Sequence, residues 1–171
     1  MGRIIFCLFN SIKYYDLESS NQLQQFEKFV RQLDRTSWLS EAMQSQVGGT
    51  NQFVYSLWQG MNDLVLSFTI SLYQDSGDHV VMFEGKIYWD GEKESISYLS
   101  LGSSRLLSTG SIKIEGDTWY SSLKWIEPEG KTTELTDTMT VSDNQLKYHT
   151  EVKSESGEYQ LLSQVIWTKM N

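Results

Sequence analysis

The stretch Leu64-Val-Leu-Ser-Phe-Thr-Ile-Ser-Leu-Tyr73 decides the fold class. Leu64, Leu66, Phe68, Ile70 and Leu72 alternate with Val65, Ser67, Thr69, Ser71 and Tyr73. A period of two puts the first set on one face of an extended strand and the second on the other. The same period continues outward. Val81, Phe83, Ile87 and Trp89 share a parity after His79, and Ile96 with Tyr98 and Ile112 with Ile114 mark the next strands. Trp119, Leu123 and Trp125 share a face, with Ser121 as a gap; Leu135, Met139 and Val141 follow. Leu146, Tyr148, Thr150 and Val152 oppose Lys147, His149, Glu151 and Lys153, and Leu161 to Thr168 is apolar on both parities.

Turn chemistry separates these runs at close intervals. Ser76-Gly-Asp78, Asp90-Gly-Glu92, Gly102-Ser-Ser104, Glu115-Gly-Asp117, Pro128-Glu-Gly130, Ser142-Asp-Asn144 and Ser156-Gly157 supply the glycine, asparagine and aspartate that tight hairpins use. Connections this short join antiparallel neighbours, because a parallel crossover needs a dozen or more residues. The expectation is mainly β: an antiparallel up-and-down meander of about nine strands. Closing it into a barrel removes the exposed edges.

Before residue 50 the pattern is helical. Leu23, Phe26, Val30 and Leu33 recur at helical spacing, Phe29 widens the face, and Ser20 or Asn21 can cap the start. Trp38, Leu39, Met43 and Val47 suggest a second short helix or turn, stopped by Gly48-Gly49. The expectation is therefore a single domain over 1–171, with an N-terminal arm and helical segment over 1–49 and a barrel over 50–171. Helix 20–33 would plug or cover one end. Residues 4–15 fit either a strand or an arm.

The chain has 171 residues, 39% of them hydrophobic, 13% aromatic and 21% charged, which suits one globular core. Its net charge of −8 opposes binding to phosphate backbones and to anionic membrane surfaces, so neither nucleic acid nor membrane is expected as a partner. The one cysteine, Cys7, excludes an intramolecular disulfide framework and a cysteine-based zinc site. The apolar run Ile4 to Phe9 is short for a secretory leader, and no run approaches a membrane span. A cytoplasmic location is expected.

No nucleophile elbow, phosphate loop or histidine pair occurs. No cofactor, metal or catalytic residue is assigned. His79 starts a strand and His149 lies on a polar parity; His149 would serve as acid/base or haem ligand only if that face met a wet cavity. Asp137 is different. It shares the parity of Leu135, Met139 and Val141, which faces the barrel interior. A carboxyl there needs a partner or its pKa rises. Arg105, Lys124 or a tyrosine hydroxyl are the candidate partners. A pair with Glu84, of the kind hydrolases use, would require both to face inward.

The runs Phe83-Glu-Gly-Lys-Ile-Tyr-Trp-Asp-Gly91, Ile96-Ser-Tyr-Leu99, Gly110-Ser-Ile-Lys-Ile-Glu-Gly-Asp-Thr118 and Pro128-Glu-Gly-Lys-Thr-Thr-Glu-Leu-Thr-Asp-Thr138 resemble the small lipocalin-like (calycin) proteins of the DUF1579 kind. The likeness covers roughly residues 50–169 and is a rhythm of hairpins. It implies a calycin-type barrel with an interior cavity. Lipocalins carry Gly-x-Trp on the first barrel strand and a basic residue over that ring; here the order is Trp58-Gln-Gly60, and the basic candidate is Lys169.

These readings make a non-enzymatic binder of a small hydrophobic or aromatic molecule the first expectation. The interior site would be lined by Trp58, Trp119, Leu123, Trp125, Met139, Tyr148 and Trp167, with Asp137 as its polar anchor. An isomerase, cyclase or hydratase using Asp137 in the same cavity is the second reading. A cavity-free interaction module, forming a homodimer through an exposed strand or helix 20–33, is the third.

Overall fold

The computed structural model describes residues 17–44, 50–60, 63–73 and 79–170. The run Ile4–Phe9, Cys7 and the turns at Gly48-Gly49 and Ser76–Asp78 lie outside the described residues. Helix α1 spans Leu17–Leu33. Strands follow as β1 (Thr36–Ser40), β2 (Met43–Gln44), β3 (Thr50–Gln59), β4 (Val65–Tyr73), β5 (His79–Asp90) and β6 (Ser95–Gly102). The rest are β7 (Leu107–Glu115), β8 (Thr118–Ile126), β9 (Thr132–Val141), β10 (Gln145–Lys153) and β11 (Tyr159–Lys169).

Strands β3 to β11 form the expected meander, each hydrogen-bonded antiparallel to the next. Strand β1 then closes it. Thr36–Leu39 pairs with Leu57–Val54 of β3, while Trp38–Ser40 pairs with Lys169–Trp167 of β11. The result is a closed ten-stranded antiparallel barrel preceded by one helix. The short β2 pairs only with β3.

Closure corrects the reading of residues 38–44; Val47 lies outside the described residues. The second helix does not form; Thr36, Trp38 and Ser40 are buried alternately, at period two. A stretch this short fits either period, and pairing with strands on both sides selects the extended one. The first barrel strand is therefore β1, and its tryptophan is Trp38, not Trp58. The Lys169 ammonium lies 5.6 Å from the centre of the Trp38 ring, a cation–π distance.

Helix α1 seals one end. Phe26, Phe29, Val30 and Leu33 are buried in the core, at the spacing read from the sequence. Gln22 grips the wall: its amide nitrogen donates to the Ile114 carbonyl and its amide oxygen accepts from the Ile114 N–H, both at 2.9 Å. Lys28 and Arg31 form exposed ion pairs with Asp117 (3.5 Å) and Asp63 (3.3 Å) on hairpins of that end. Exposed pairs contribute little each, so the apolar face is the main anchor. At the helix C-terminus Thr36 donates to the Leu33 carbonyl at 2.6 Å, and Arg35 takes a positive φ of 55° to turn the chain into β1.

Two bulges shape the opposite end. The β4–β5 register shifts after Ile70↔Phe83, so that Ser71 pairs with Val81 and Met82 is the extra residue. This turns Val81 outward, against its expected parity, and it is 46% exposed. In β10–β11 the shift lies between Thr150 and Glu151, with Leu162 as the extra residue. Bulges coil a strand and help a sheet close. No described helix is long and apolar enough to cross a membrane.

Candidate functional site

The barrel is not filled. The helix end is packed solid by Trp38, Leu57, Leu66, Ile87, Ile96, Ile114, Trp119, Met139 and Leu146 with the α1 side chains. Further along the axis the inward positions carry Ser100, Ser108, Thr150 and Ser163, which are too small to meet across a ten-stranded barrel. They leave a cavity of about 220 Å³.

One wall of the cavity is a run of rings. Tyr98 stacks on Phe68 (5.5 Å between centres), Phe68 meets Tyr55 edge-on (5.7 Å), and Tyr55 leans on Trp167 (5.7 Å). Leu123, Trp125 and Leu135 of β8 and β9 line it as well, with Phe83 and Ile70 from β5 and β4.

Asp137 lies among these groups and is 5% exposed. The Tyr148 hydroxyl, from the next strand, donates to Oδ2 at 2.9 Å. Oδ1 is buried and has no hydrogen-bond partner. Thr150 stands directly across on β10, and its hydroxyl also favours the charged form, but it does not meet hydrogen-bond geometry at Oδ1. Desolvation is the larger effect and holds the carboxyl above its ordinary value. The phenols respond to the same medium. Desolvation and then the Asp137 charge raise Tyr148, and Tyr98 is pushed up to about 12 by desolvation, with Asp137 adding to it. Tyr55 rises for the same first reason, with Tyr98 and Asp137 adding to it.

This geometry fixes a sign. A carboxyl whose folded pKa lies above the unfolded value binds a proton more readily in the folded chain. Its contribution to stability is full below the unfolded value and is lost as pH rises through the folded one. The melting temperature of Asp137→Asn, relative to the unmodified chain, should therefore climb as pH is raised from about 4 toward neutrality. Melting curves at a series of pH values check this. A relative melting temperature that falls with pH would mean the carboxylate is stabilised by its surroundings.

The expected site residues divide. Leu123, Trp125, Asp137, Tyr148 and Trp167 are brought together on the cavity wall. Trp58 is not; it points outward from β3 and is 42% exposed. Trp119 and Met139 face inward but lie in the packed end, where the Trp119 ring meets Phe29 edge-on at 5.1 Å between centres. Of the candidate partners for Asp137, only a tyrosine hydroxyl serves. Lys124 and Arg105 are exposed, Lys124 on the outer parity of β8 and Arg105 in the β6–β7 turn. Glu84 faces outward, so no carboxylate pair forms with Asp137. His149 also faces outward, 3.5 Å from Glu151, and is removed as a ligand for anything in the cavity. Tyr55, Phe68, Tyr98 and Ser100 were not read as site residues. Phe68 and Tyr98 had the right parity; their height along the axis, which decides cavity or packed end, is not a local property.

No protein-family model matches the chain, and no curated protein matches it in sequence. The resemblance to the DUF1579 kind thus stands only at the level of a lipocalin-like barrel. A solved structure shares the barrel fold. Rv2717c from M. tuberculosis is similar over 85% of this chain and 98% of its own, at 12% identity and a TM-score of 0.57. The structure titled EF1p2_mFAP2b bound to DFHBI aligns over 84% of this chain and 95% of its own, at 14% identity and a TM-score of 0.37.

Proposed function

We propose that the chain binds a small, mostly apolar ring compound inside the barrel, oriented by Asp137. The observation that carries this reading is the cavity itself: about 220 Å³ walled by aromatic rings, with one buried carboxyl oxygen left unpartnered. A packed protein interior holds few voids, and buried polar groups normally have partners. Both departures occur at one place. Size narrows the ligand. An apolar cavity of roughly 150 Å³ accepts benzene, and pockets for drug-sized molecules start near 300 Å³. One or two rings fit; a tetrapyrrole or long-chain lipid needs the walls to move. The open interior supports the binding reading over a cavity-free interaction module.

Indole is a suitable neutral probe. It should raise the melting temperature in calorimetric scans, since a ligand that binds only the folded state stabilises it. Ser108→Leu places a larger apolar side chain in the cavity. That variant should melt no lower than the unmodified chain and should lose the indole response. Retained indole binding would place the site elsewhere.

The hydrogen bond between Asp137 and Tyr148 supports one second reading, an isomerase, cyclase or hydratase in which Asp137 moves a proton on the bound molecule. Turnover lost in Asp137→Asn with binding retained would favour it.

A further inference from the structure

Resting on the cavity reading above, we infer that the ligand is an amine: a one- or two-ring compound whose protonated nitrogen donates to Asp137 Oδ1 while its ring lies against the aromatic wall.

The polar inventory of the cavity points this way. Among the described residues, its lining contains one carboxyl and no lysine, arginine or histidine side chain. The Tyr148 proton is already donated to Asp137 Oδ2 and the Tyr98 proton to Ser100, at 2.9 and 3.2 Å. Hydroxyls of Tyr55, Ser108, Thr150 and Ser163 also line the space, and the buried atom there that is left without a partner is an acceptor, Oδ1. A ligand that brings an N–H donor satisfies it. A ligand that brings only acceptors leaves it orphaned in a desolvated place.

Charge selects further. Aromatic faces attract cations, and four stacked or edge-on rings border the same space: Tyr98, Phe68, Tyr55 and Trp167. A desolvated carboxyl is costly when charged and alone, and an ammonium hydrogen-bonded to it offsets part of that cost. The titratable groups facing Asp137 are the phenols of Tyr148, Tyr98 and Tyr55, all raised and so uncharged at neutral pH. None competes for the carboxylate as a cation. An anionic ligand meets the opposite situation, with no cationic side chain to hold it. The chain's net charge of −8 also enriches cations near its surface.

Three near-isosteric probes separate the possibilities: phenethylamine, 2-phenylethanol and phenylacetate, titrated calorimetrically against the intact protein at neutral pH. Phenethylamine should bind about tenfold or more tighter than 2-phenylethanol, the size of one charge-assisted hydrogen bond, and phenylacetate should be weakest. In Asp137→Asn the amine's advantage should shrink to within about threefold, with 2-phenylethanol binding retained. If 2-phenylethanol or phenylacetate matches the amine in the unmodified protein, the amine assignment is overturned and the cavity reading stands. If none of the three binds, both fall. If the Asn variant keeps the full preference, the cation is held by another group and the role of Asp137 is wrong. The ratio in the unmodified chain decides the matter even if the variant does not fold.

Discussion

Trp38→Ala is expected to lower the melting temperature by about 6–20 °C. Trp38 is 1% exposed, and its strand joins the two ends of the meander. Its backbone position pairs with Tyr55 on one side and Lys169 on the other. Its indole N–H donates to the Thr36 hydroxyl at 3.0 Å, and that hydroxyl in turn closes the α1 C-terminus. Removing a fully buried large ring costs about 3–5 kcal/mol, and in a chain of this length each kcal/mol moves the midpoint by roughly 2–4 °C. Trp38→Phe keeps most of the buried area and loses the hydrogen bond, so it should cost clearly less. Calorimetric melting of both variants tests the argument. Equal losses would show that the hydrogen bond, and not the buried ring, supplies the effect.

The second large effect is at Gly110. It faces inward on β7, between Tyr98 of β6 and Leu123 of β8. A β-carbon there would lie 2.0 Å from the Ser122 carbonyl oxygen and 2.9 Å from the Leu123 α-carbon. These are backbone atoms of a paired strand. They cannot yield without opening the ladder on one side. Gly110→Ala should therefore destabilise by about 3 kcal/mol or more, at the upper end of overpacking. Gly91→Ala is the control, because a β-carbon at Gly91 meets nothing within 4 Å. Denaturant unfolding of the pair should show a large loss at 110 and a small change at 91. Restricting the unfolded chain by itself stabilises, so a loss at 91 as large as at 110 would mean that the close approach does not set the effect at 110.

Much of the site was legible before the fold was known. Asp137 shares its parity with Leu135 and Met139, and parity alone places it inside once the strand has a buried face. The same rule placed Leu123, Trp125 and Tyr148; Trp167 lies on a strand apolar on both parities, and its pairing with Leu146 of β10 sets its face. The rule failed for Trp58, which lies on the outer parity of β3, and for Val81, where the bulge at Met82 reverses the alternation. Trp119 and Met139 show a different limit. They do face inward, but a sequence pattern carries no coordinate along the barrel axis. The cavity lies a few residues further along the same strands.

What the sequence by itself determined is local: strand runs at period two, turn residues at the hairpins, the apolar face of α1, and which side chains share a face. Each depends on residues within about ten positions, where steric preference and burial act directly. What only the tertiary structure decided is long-range. Strand β1 is extended because β3 and β11 offer it partners, the latter some 130 positions away. The cavity exists because small side chains from β6, β7, β10 and β11 meet at one height. Asp137 Oδ1 is unpartnered because Tyr148 reaches Oδ2 and Thr150 does not close the second bond. Closure and interior volume are sums over all the strands of the barrel, and no single stretch of chain contains them.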